Sequence, residues 1–489
     1  MGVVKIKKIL LVNPRVDTRA TPPIGLCYIA AVLEKERYVV RIHDPIPTRK
    51  DFSKNFENSL KEFNPDIVAF TCTAPQEDPS FAQAKLAKEF NSEILTVIGG
   101  PLISSDGERI VKNPDIDIAV QGEGEITFKE LVVAFDKNKN FKGIKGIIYK
   151  NNNVIMKNPP RELIEDLDSL PFPARHLLDM KWYTRRNSMI RGKWMRTTSL
   201  MGARGCPFKC IFCASPKTLG SMVRLRSPDN VLDEIEELKN KYKIEAIKAT
   251  EDVFTHNIKW VNEFCDKMIE RKLDIKWDCQ SRVNAVAINL ETLKKMKRAG
   301  CIQIEFGVES GSQKILDIIK KHVKVEQTIR AFDLCKEAGI RTMANVIIGH
   351  PYETYEDIQK TRELAKRIKA DYIEFFISTP LPGTEMYGMA EKNGWLRKGK
   401  TFYGREAGEH ITMLCNFSVE ELLKLRKELY DEFSKLMLFN YAINIIFMKD
   451  IILENLKNPV EIFEHLKIFM RTKSLAEVGR TMEIKLRLL

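Results

Sequence analysis

Long hydrophobic runs are missing from this sequence of 489 residues. No uncharged apolar run reaches the ~18 residues that a membrane-spanning helix needs, so we expect no transmembrane segment. The opening stretch MGVVKIKKILLVNP is typical of a first β-strand and not of a signal peptide. The expected location is therefore the cytoplasm.

Signatures of nucleic-acid binding are missing as well. The net charge is +13, but no RRM or KH motif accompanies it, so no nucleic-acid partner is predicted. A lysine-rich, well-solvated surface is the simpler interpretation of this charge, and an anionic partner is the more specific one. Apolar residues make up 44% and charged residues 30% of the chain, which is typical of a globular protein.

Cysteine is scarce, and its one local cluster has three members without the fourth that a metal site usually has. Seven of the ten cysteines are scattered, mostly in apolar segments, as is typical of small buried side chains. The other three, Cys206, Cys210 and Cys213, form a C-x3-C-x2-C motif with no further cysteine nearby. In a reducing compartment such a cluster is more often metal-binding or catalytic than disulfide-bonded. A disulfide with one cysteine left over is the weakest interpretation.

A structural zinc site needs four ligands, and the nearest histidines, His176 and His256, lie tens of residues from this motif. The fold could bring one of them close, so zinc stays open as an alternative. Three thiolates on one loop fit a [4Fe–4S] cluster better, because they leave one iron free for another ligand. The motif therefore favours an iron–sulfur cluster with an incomplete set of protein ligands.

The chain is too long for one core, and its patterns divide it into domains. Residues 1–160 alternate strands with helices, which predicts a doubly wound, Rossmann-like parallel sheet with ligand-binding strand ends. Residues 161–192 form a proline-containing linker. Residues 193–400 repeat six strands and helices, which predicts a partial (βα)6 TIM-like barrel with its site at the carboxyl ends of the strands.

Residues 401–489 are predicted to be helical, with a serine and acidic residues at the beginning of SVEELLKL as a cap. Further along, LMLFNYAINIIFM is apolar on nearly every side. Burial of this helix against the barrel is the simpler interpretation. Contact with a membrane surface through this C-terminal region is the alternative.

The three cysteines follow the first strand of a partial barrel, and this arrangement resembles the radical S-adenosylmethionine (SAM) superfamily. The resemblance implies that Cys206, Cys210 and Cys213 hold a [4Fe–4S] cluster whose open iron is chelated by the methionine part of SAM. It also implies that Phe212, the aromatic residue before the last cysteine, packs beside the SAM adenine. The missing fourth ligand is then the cofactor itself.

Motifs at later strand ends extend the resemblance to the subgroup in which a cobalamin-binding domain precedes the barrel, over about residues 7–395. KATEDVFTHN resembles the acidic second-strand motif, in which either Glu251 or Asp252 takes the SAM amino group. Three more motifs, WDCQSRVN, GVESGSQKIL and VIIGHPYET, carry the other implied SAM contacts, which are Gln280, Arg282, Glu309, Ser310 and Gly349.

The first domain then resembles the cobalamin-binding domain. The implied cobalamin contacts lie at the first helix and after later strands, at Gly25, Leu26, Thr71, Cys72, Thr73, Gly99, Gly100, Gly122 and Glu123. The D-x-H-x-x-G motif of methionine synthase-type domains is missing, since HDPIPTRK has Asp44 but no histidine two residues later. Cobalamin is therefore expected without a histidine below cobalt, and with TCTAPQ on its lower side. A domain that has lost cobalamin is the alternative.

The resemblance implies a cobalamin-dependent radical SAM methyltransferase. One SAM methylates the cobalamin, and a second yields a 5′-deoxyadenosyl radical that attacks an unactivated carbon. The implied partner is an electron donor of the flavodoxin or ferredoxin type. A non-methylating enzyme of the same architecture, which closes a ring on a lipid or tetrapyrrole, is the first alternative, and a cobalamin or iron–sulfur sensor is the second. The sequence names neither a substrate nor a catalytic side chain.

Overall fold

The computed structural model describes residues 7–16, 21–45, 52–137, 139–151, 154–187, 189–396 and 415–442. Two seven-stranded sheets dominate this part of the chain, and helices flank both of them. The first sheet lies between residues 8 and 157, and the second between residues 186 and 377. The predicted α/β architecture, a Rossmann-like sheet followed by a partial barrel, is confirmed.

The first sheet consists of β1 (Lys8–Val12), β2 (Val39–His43), β3 (Ile67–Thr71), β4 (Leu95–Gly99), β5 (Ile118–Val120), β6 (Ile147–Asn151) and β7 (Val154–Lys157). The strand order is β2-β1-β3-β4-β5-β6-β7. The first five strands are parallel, whereas β6 and β7 form an antiparallel hairpin at one edge. The sequence analysis missed this hairpin, because its second strand is short and mostly exposed and lacks a clear apolar alternation.

Helices cover both faces of the first sheet, namely α1 (Ile24–Lys35), α2 (Phe52–Phe63), α3 (Glu77–Phe90), α4 (Pro101–Ile110) and α5 (Gly124–Lys137). α1 and α5 pack on one face, over Ile9 and Leu11, and the other three pack on the opposite face, over Leu10 and Val12. Burial on both faces explains why these strands are continuously apolar. The order of the parallel strands reverses between β1 and β3, which is where sheets of this kind bind ligands beyond their carboxyl ends.

The second sheet consists of β8 (Arg186–Asn187), β9 (Met195–Leu200), β12 (Ala246–Ala249), β13 (Lys276–Ser281), β14 (Cys301–Glu309), β15 (Arg341–Ile348) and β16 (Tyr372–Ile377). Between β9 and β12 the chain forms a separate hairpin of β10 (Ala203–Arg204) and β11 (Arg224–Leu225). Six strands are parallel in the order β16-β15-β14-β13-β12-β9, and β8 adds an antiparallel edge. In the described residues no pairing joins β16 to β8, so the barrel is partial, as predicted.

The remaining helices are α6 (Met180–Tyr183), α7 (Ser215–Leu219), α8 (Pro228–Tyr242), α9 (Ile258–Glu270), α10 (Leu290–Arg298), α11 (Gln313–Ile318), α12 (Val325–Ala338), α13 (Tyr355–Ile368), α14 (Glu385–Lys392) and α15 (Val419–Ala442). The outer face of the barrel sheet is apolar and packs against helices through residues such as Trp277 and Phe306. The inner face is polar. On it Lys248 Nζ lies 3.2 Å from Asp278 Oδ2 and also bonds to Glu305.

The predicted C-terminal helix is present as α15. Ser418 and Glu421 cap its beginning reciprocally, with bonds of 2.7 and 3.2 Å, as the sequence indicates. The helix packs on β16, where the Tyr430 hydroxyl accepts a hydrogen bond of 3.1 Å from the Phe375 amide. All of LMLFNYAINIIFM lies outside the residues whose side chains are described, and so does the membrane-surface hypothesis. No helix in the described part of the chain is both long and apolar enough to cross a membrane.

Candidate functional site

The three cysteines lie on the loop between β10 and α7, and the β10–β11 hairpin closes the base of this loop. Gly205 precedes the first cysteine with a φ of +94°, and a Cβ there would lie 2.1 Å from the carbonyl oxygen of Met222. Only glycine fits both conditions, so Gly205 determines the path of the loop. The sequence analysis did not single out this residue, although its position directly before Cys206 was a usable signal.

The cysteine thiols are close enough to influence one another. Burial, and then the charges of Asp252, Cys206 and Cys210, raise the pKa of the Cys213 thiol to about 12. Burial also raises the pKa of Cys206, again with contributions from Asp252 and Cys210. Thiols of this kind lose their protons when a cation binds them. Within the described ranges, no three His, Cys, Asp or Glu side chains converge in the manner of a single-ion site.

The two histidines that kept zinc open as an alternative lie in different places. The His256 ring does approach the cysteine loop, with its centroid 6.3 Å from that of Phe208. His176 instead lies on the linker, with Nε2 3.0 Å from Glu34 Oε1. The fold therefore brings one histidine near the loop but not into contact with a thiol.

Arg282 follows β13 and lies against the cysteine loop. It is only 4% exposed, and its Nη1 lies 3.6 Å from Cys210 Sγ. The guanidinium carbon lies 3.7 Å from the centroid of the Phe208 ring. Nη2 donates to the Lys321 carbonyl, and Nε lies 3.3 Å from Asn284 Oδ1. The structure thus brings this predicted SAM contact to one of the three cysteines.

The two candidate acidic residues after β12 point in different directions. Glu251 Oε1 accepts a bond from the Gly202 amide, and Oε2 has no partner in the described part of the chain. Burial raises the pKa of Glu251 to about 7. Asp252 instead accepts a bond from Ser215 Oγ, two residues after Cys213. Asp252, and not Glu251, is therefore the carboxyl group beside the cysteines.

Three further predicted SAM contacts occupy different surroundings. Gln280 lies on β13 in the same alternating set as Asp278, which faces the polar inner side of the barrel. Glu309 has a φ of 63°, and its Oε1 accepts a bond of 2.6 Å from Lys321 Nζ. Ser310 is fully buried, with its hydroxyl 3.1 Å from that of Thr361. Ser310 is therefore engaged within the protein.

Gly349 follows β15 with a φ of +83°, and its amide donates to Glu353 Oε2 at 2.5 Å. The His350 amide donates to the same oxygen at 3.2 Å. Burial raises the pKa of Glu353 to about 8, and burial followed by the charge of Lys321 lowers the pKa of His350 to about 3. The His350 ring lies 6.1 Å from that of Phe212. Phe212, the predicted neighbour of adenine, thus lies near a buried, uncharged histidine that the sequence analysis did not single out.

Glycines at the strand ends of the first sheet leave open space. A Cβ at Gly25 or Gly122 would meet nothing within 4 Å, and one at Gly99 would make only ordinary contacts. Gly100 differs, because it has a φ of +106° and its Cβ would lie 2.9 Å from the backbone of Cys72. The fold itself therefore requires glycine at 100, and the φ of +72° also favours glycine at 122. The space in front of Gly25 and Gly122 is open.

The other predicted cobalamin contacts in the first sheet are mostly engaged within the protein. Leu26 and Cys72 are buried in the cores on opposite faces of the sheet. Thr73 begins the short turn after β3, and its hydroxyl donates to Gln76 Oε1 at 2.8 Å. Thr71 is partly buried at the end of β3. Thr73 is exposed at this turn, so Thr71 and Thr73 are the accessible side chains of this set.

Glu123, a predicted cobalamin contact, bonds to residues at the base of the cysteine loop and in the linker. Its Oε1 accepts a bond of 2.9 Å from Arg204, and its Oε2 accepts bonds of 2.8 Å from Arg224 and from the Ile164 amide. Arg204 also donates to Glu125 at 2.6 Å. Both oxygens of Glu123 are engaged because Arg204 and Arg224 project from the two strands of the β10–β11 hairpin. Glu123 therefore ties the first sheet to the base of the cysteine loop.

Other contacts also join the first sheet to the cysteine loop and the barrel. Helix α4, which follows β4, contacts α7, which follows the cysteine loop. A Cβ on Gly383, in the loop after β16, would lie 2.7 Å from Ser105 Cβ on α4. These contacts place the carboxyl ends of the first sheet against the mouth of the barrel.

Comparisons with known proteins agree with this arrangement. Residues 201–365 match the family model of the radical SAM superfamily, and residues 15–132 match that of the B12 binding domain. A protein of Pyrococcus horikoshii, described as uncharacterized methyltransferase PH0819, is 36% identical over 442 residues, which cover 88% of this chain and 93% of that protein. The chain belongs to the radical SAM superfamily. It carries a B12 binding domain ahead of the barrel, as the sequence analysis predicts.

Two other similarities place this radical SAM protein among relatives of both reaction types. The anaerobic magnesium-protoporphyrin IX monomethyl ester cyclase of Rubrivivax gelatinosus is 30% identical, over 75% of this chain and 66% of the cyclase. The structure of the radical SAM methyltransferase TsrM from Kitasatospora setae, with cobalamin and a [4Fe–4S] cluster bound, aligns with a TM-score of 0.67. That alignment is 21% identical and covers 80% of this chain and 79% of TsrM, so it shows the fold alone.

The residues of this radical SAM protein suit the cofactors of its family. Three neighbouring thiols with no fourth cysteine match a cluster that keeps one iron open. The carboxyl group of Asp252 beside them is a suitable acceptor for an ammonium group. The open space in front of Gly25 and Gly122 suits a large planar cofactor beyond the strand ends.

Proposed function

We propose that this protein is a cobalamin-dependent radical SAM methyltransferase that acts on an unactivated carbon. The observation that carries the proposal is the junction of Glu123 with Arg204 and Arg224, which joins the cysteine loop to the strand ends of the B12 binding domain. Groups bound on either side of this junction lie next to each other. When bound, the cluster with SAM supplies a carbon-centred radical, and the cobalamin supplies the methyl group.

The residues of the chain hold and orient these groups. We assign Cys206, Cys210 and Cys213 to the cluster, and Asp252 in preference to Glu251 to the SAM ammonium group. Support for Asp252 comes from its bond to Ser215, in contrast to the bond between Glu251 and the Gly202 amide. The partly buried Phe212 ring and the buried His350 ring limit the access of water to this side of the site.

The partner and the location follow from the same chemistry. Generating the radical takes one electron, so we propose a reductant of the flavodoxin or ferredoxin type. All ten cysteines are free, which supports the cytoplasm as the compartment. We keep residues 1–160, 161–192, 193–400 and 401–489 as the proposed domains.

A non-methylating ring closure is the second candidate, and the cyclase relative is the observation that favours it. The two candidates differ in the fate of SAM. A methyltransferase consumes one SAM as methyl donor and yields S-adenosylhomocysteine, whereas a cyclase of this type needs only the reductive cleavage that yields 5′-deoxyadenosine.

Anaerobic protein reconstituted with iron, sulfide and hydroxocobalamin tests the proposal without a known substrate. With SAM and a chemical reductant it should release both 5′-deoxyadenosine and S-adenosylhomocysteine, measured by mass spectrometry. Without cobalamin only the S-adenosylhomocysteine should disappear. The combined Cys206→Ala, Cys210→Ala and Cys213→Ala variant should lose its iron and form neither product. Release of 5′-deoxyadenosine alone from the cobalamin-loaded protein would favour the cyclase-type reaction.

A further inference from the structure

Arg282 is the buried arginine at the mouth of the barrel whose charge the protein leaves uncompensated. It is 4% exposed, yet it has no ion pair with any carboxylate in the described part of the chain. Its acceptors are the Lys321 carbonyl, the Asn284 side-chain oxygen and, at 3.6 Å, the sulfur of Cys210.

Other buried arginines of this protein show that such isolation is unusual. Arg175 and Arg226 share Glu234, and Arg204 and Arg224 share Glu123, at side-chain exposures of 3–6% for the arginines. A buried cation without a counter-charge is costly, and proteins retain one where an anion binds. The charge of Arg282 therefore calls for an anion that no carboxylate of the described residues supplies.

The sulfur of Cys210 identifies that anion. Once Cys210 binds iron it is a thiolate, and a cluster held by three thiolates concentrates negative charge directly beside the guanidinium. The stack on Phe208 and the bond to the Lys321 carbonyl fix the guanidinium in this place, since the first restrains its face and the second its edge. Arg282 is thus held in position before the cluster arrives.

We propose that Arg282 is a positioning residue of the cluster: it donates a hydrogen bond to the Cys210 sulfur and raises the reduction potential of the cluster. Reduction adds one negative charge beside a fixed cation, so the reduced state gains more from Arg282 than the oxidised state does. This inference rests on the proposed function, because it requires the cluster. It differs from the SAM contact predicted from the sequence, since the partner of Arg282 here is a cysteine sulfur.

The test is the midpoint potential of the cluster in SAM-free protein, followed by electron paramagnetic resonance during a redox titration. In Arg282→Gln the ratio of reduced to oxidised cluster at a fixed potential should fall about tenfold, which is about 59 mV for one electron. Arg282→Lys keeps the charge but loses the planar set of N–H donors of the guanidinium. Its midpoint potential should therefore lie between those of the wild type and Arg282→Gln. Arg330→Gln removes the same charge from an exposed position on α12 and should leave the potential unchanged.

A second measurement keeps the test decisive if Arg282→Gln binds iron poorly. Cluster-free Arg282→Met should be at least as stable to heat as the cluster-free wild type, because the variant removes an uncompensated buried charge. A lower melting temperature would mean that the guanidinium stabilises the fold itself, and it would overturn the inference. An unchanged potential together with weaker SAM binding would overturn it as well and make Arg282 a SAM ligand. Failure of the proposed function would appear separately, as wild-type protein that holds no cluster or does not cleave SAM.

Discussion

The junction between the two sheets and the mouth of the barrel both bury ionisable side chains, but they treat the charges differently. At the junction, burial opposes the ionised form of Glu123, yet the hydrogen bond from Arg224, the Ile164 amide and the charge of Arg204 outweigh it and lower the pKa of Glu123. At the mouth, burial prevails and raises the pKa of Glu251 to about 7 and that of Glu353 to about 8.

This difference distinguishes the residues that hold the two sheets together from the residues that can act on ligands. At the junction each charge has an opposite charge within ion-pair distance, and these pairs fix the two sheets relative to each other. The unpaired groups at the mouth are Arg282, Glu251, Glu353 and His350, and each has a charge or a hydrogen-bonding atom that the described residues leave unmatched. We expect ligands and protons to act on the second group and not on the first.

Breaking the junction should have the largest effect. Glu123→Ala leaves Arg224 buried without a carboxylate, so it should reduce the free energy of unfolding by about 3–5 kcal/mol, measured by urea denaturation. The matched control is Glu130→Ala, which removes an exposed partner of Arg161 and should cost no more than about 1 kcal/mol. Equal losses in the two variants would mean that the junction is not a buried ion-pair network.

The next effect concerns the two neighbouring acidic residues. Asp252→Asn should raise the dissociation constant for SAM about tenfold or more, because a hydrogen bond to a charged group is worth about 1.5–3 kcal/mol. Glu251→Gln should change it far less, since Glu251 bonds to the Gly202 amide behind the sheet. Equilibrium binding of SAM to cluster-loaded protein measures both. A reversed order would transfer the ammonium contact to Glu251.

The sequence predicted what depends on local pattern. The parallel strands of both sheets, the cysteine loop and the cap of α15 follow from apolar periodicity and from residues close together in the chain. Glu123 shows the limit of this reasoning, because its arginine partners lie 81 and 101 residues away, and only the fold brings them together. Its position at a glycine-rich strand end indicates a cofactor contact, and gives no sign of these arginine partners.

The choice between Glu251 and Asp252 shows a second limit. Successive residues at a strand end point to opposite sides, so one of the two had to face the cysteines. The sequence does not say where β12 ends its regular alternation, and a shift of one residue exchanges the two roles. The bond from the Gly202 amide to Glu251 and the bond from Ser215 to Asp252 distinguish the two residues. Both donors lie on the segment after β9, outside the motif itself.

The smallest predicted effect is a pH dependence of stability. It is expected from Glu353 at the mouth of the barrel and not from Glu123 at the junction. Burial raises the pKa of Glu353 from the ordinary 4.5 to about 8, so the folded protein keeps a proton that the unfolded chain releases. The associated stability is complete below pH 4.5 and is lost as the pH rises through 8, with a slope of at most about 1.4 kcal/mol per pH unit.

Glu353→Gln retains an oxygen for the amides of Gly349 and His350 but does not titrate. Relative to the wild type it should therefore gain stability steadily between pH 6 and 8, measured as the difference in free energy of unfolding at each pH. Glu123→Gln is the matched control from the junction. The lowered pKa of Glu123 keeps it ionised throughout this range, so its difference from the wild type should be constant. Parallel curves for the two variants would show that the buried carboxyl groups of the mouth and of the junction do not differ in their protonation.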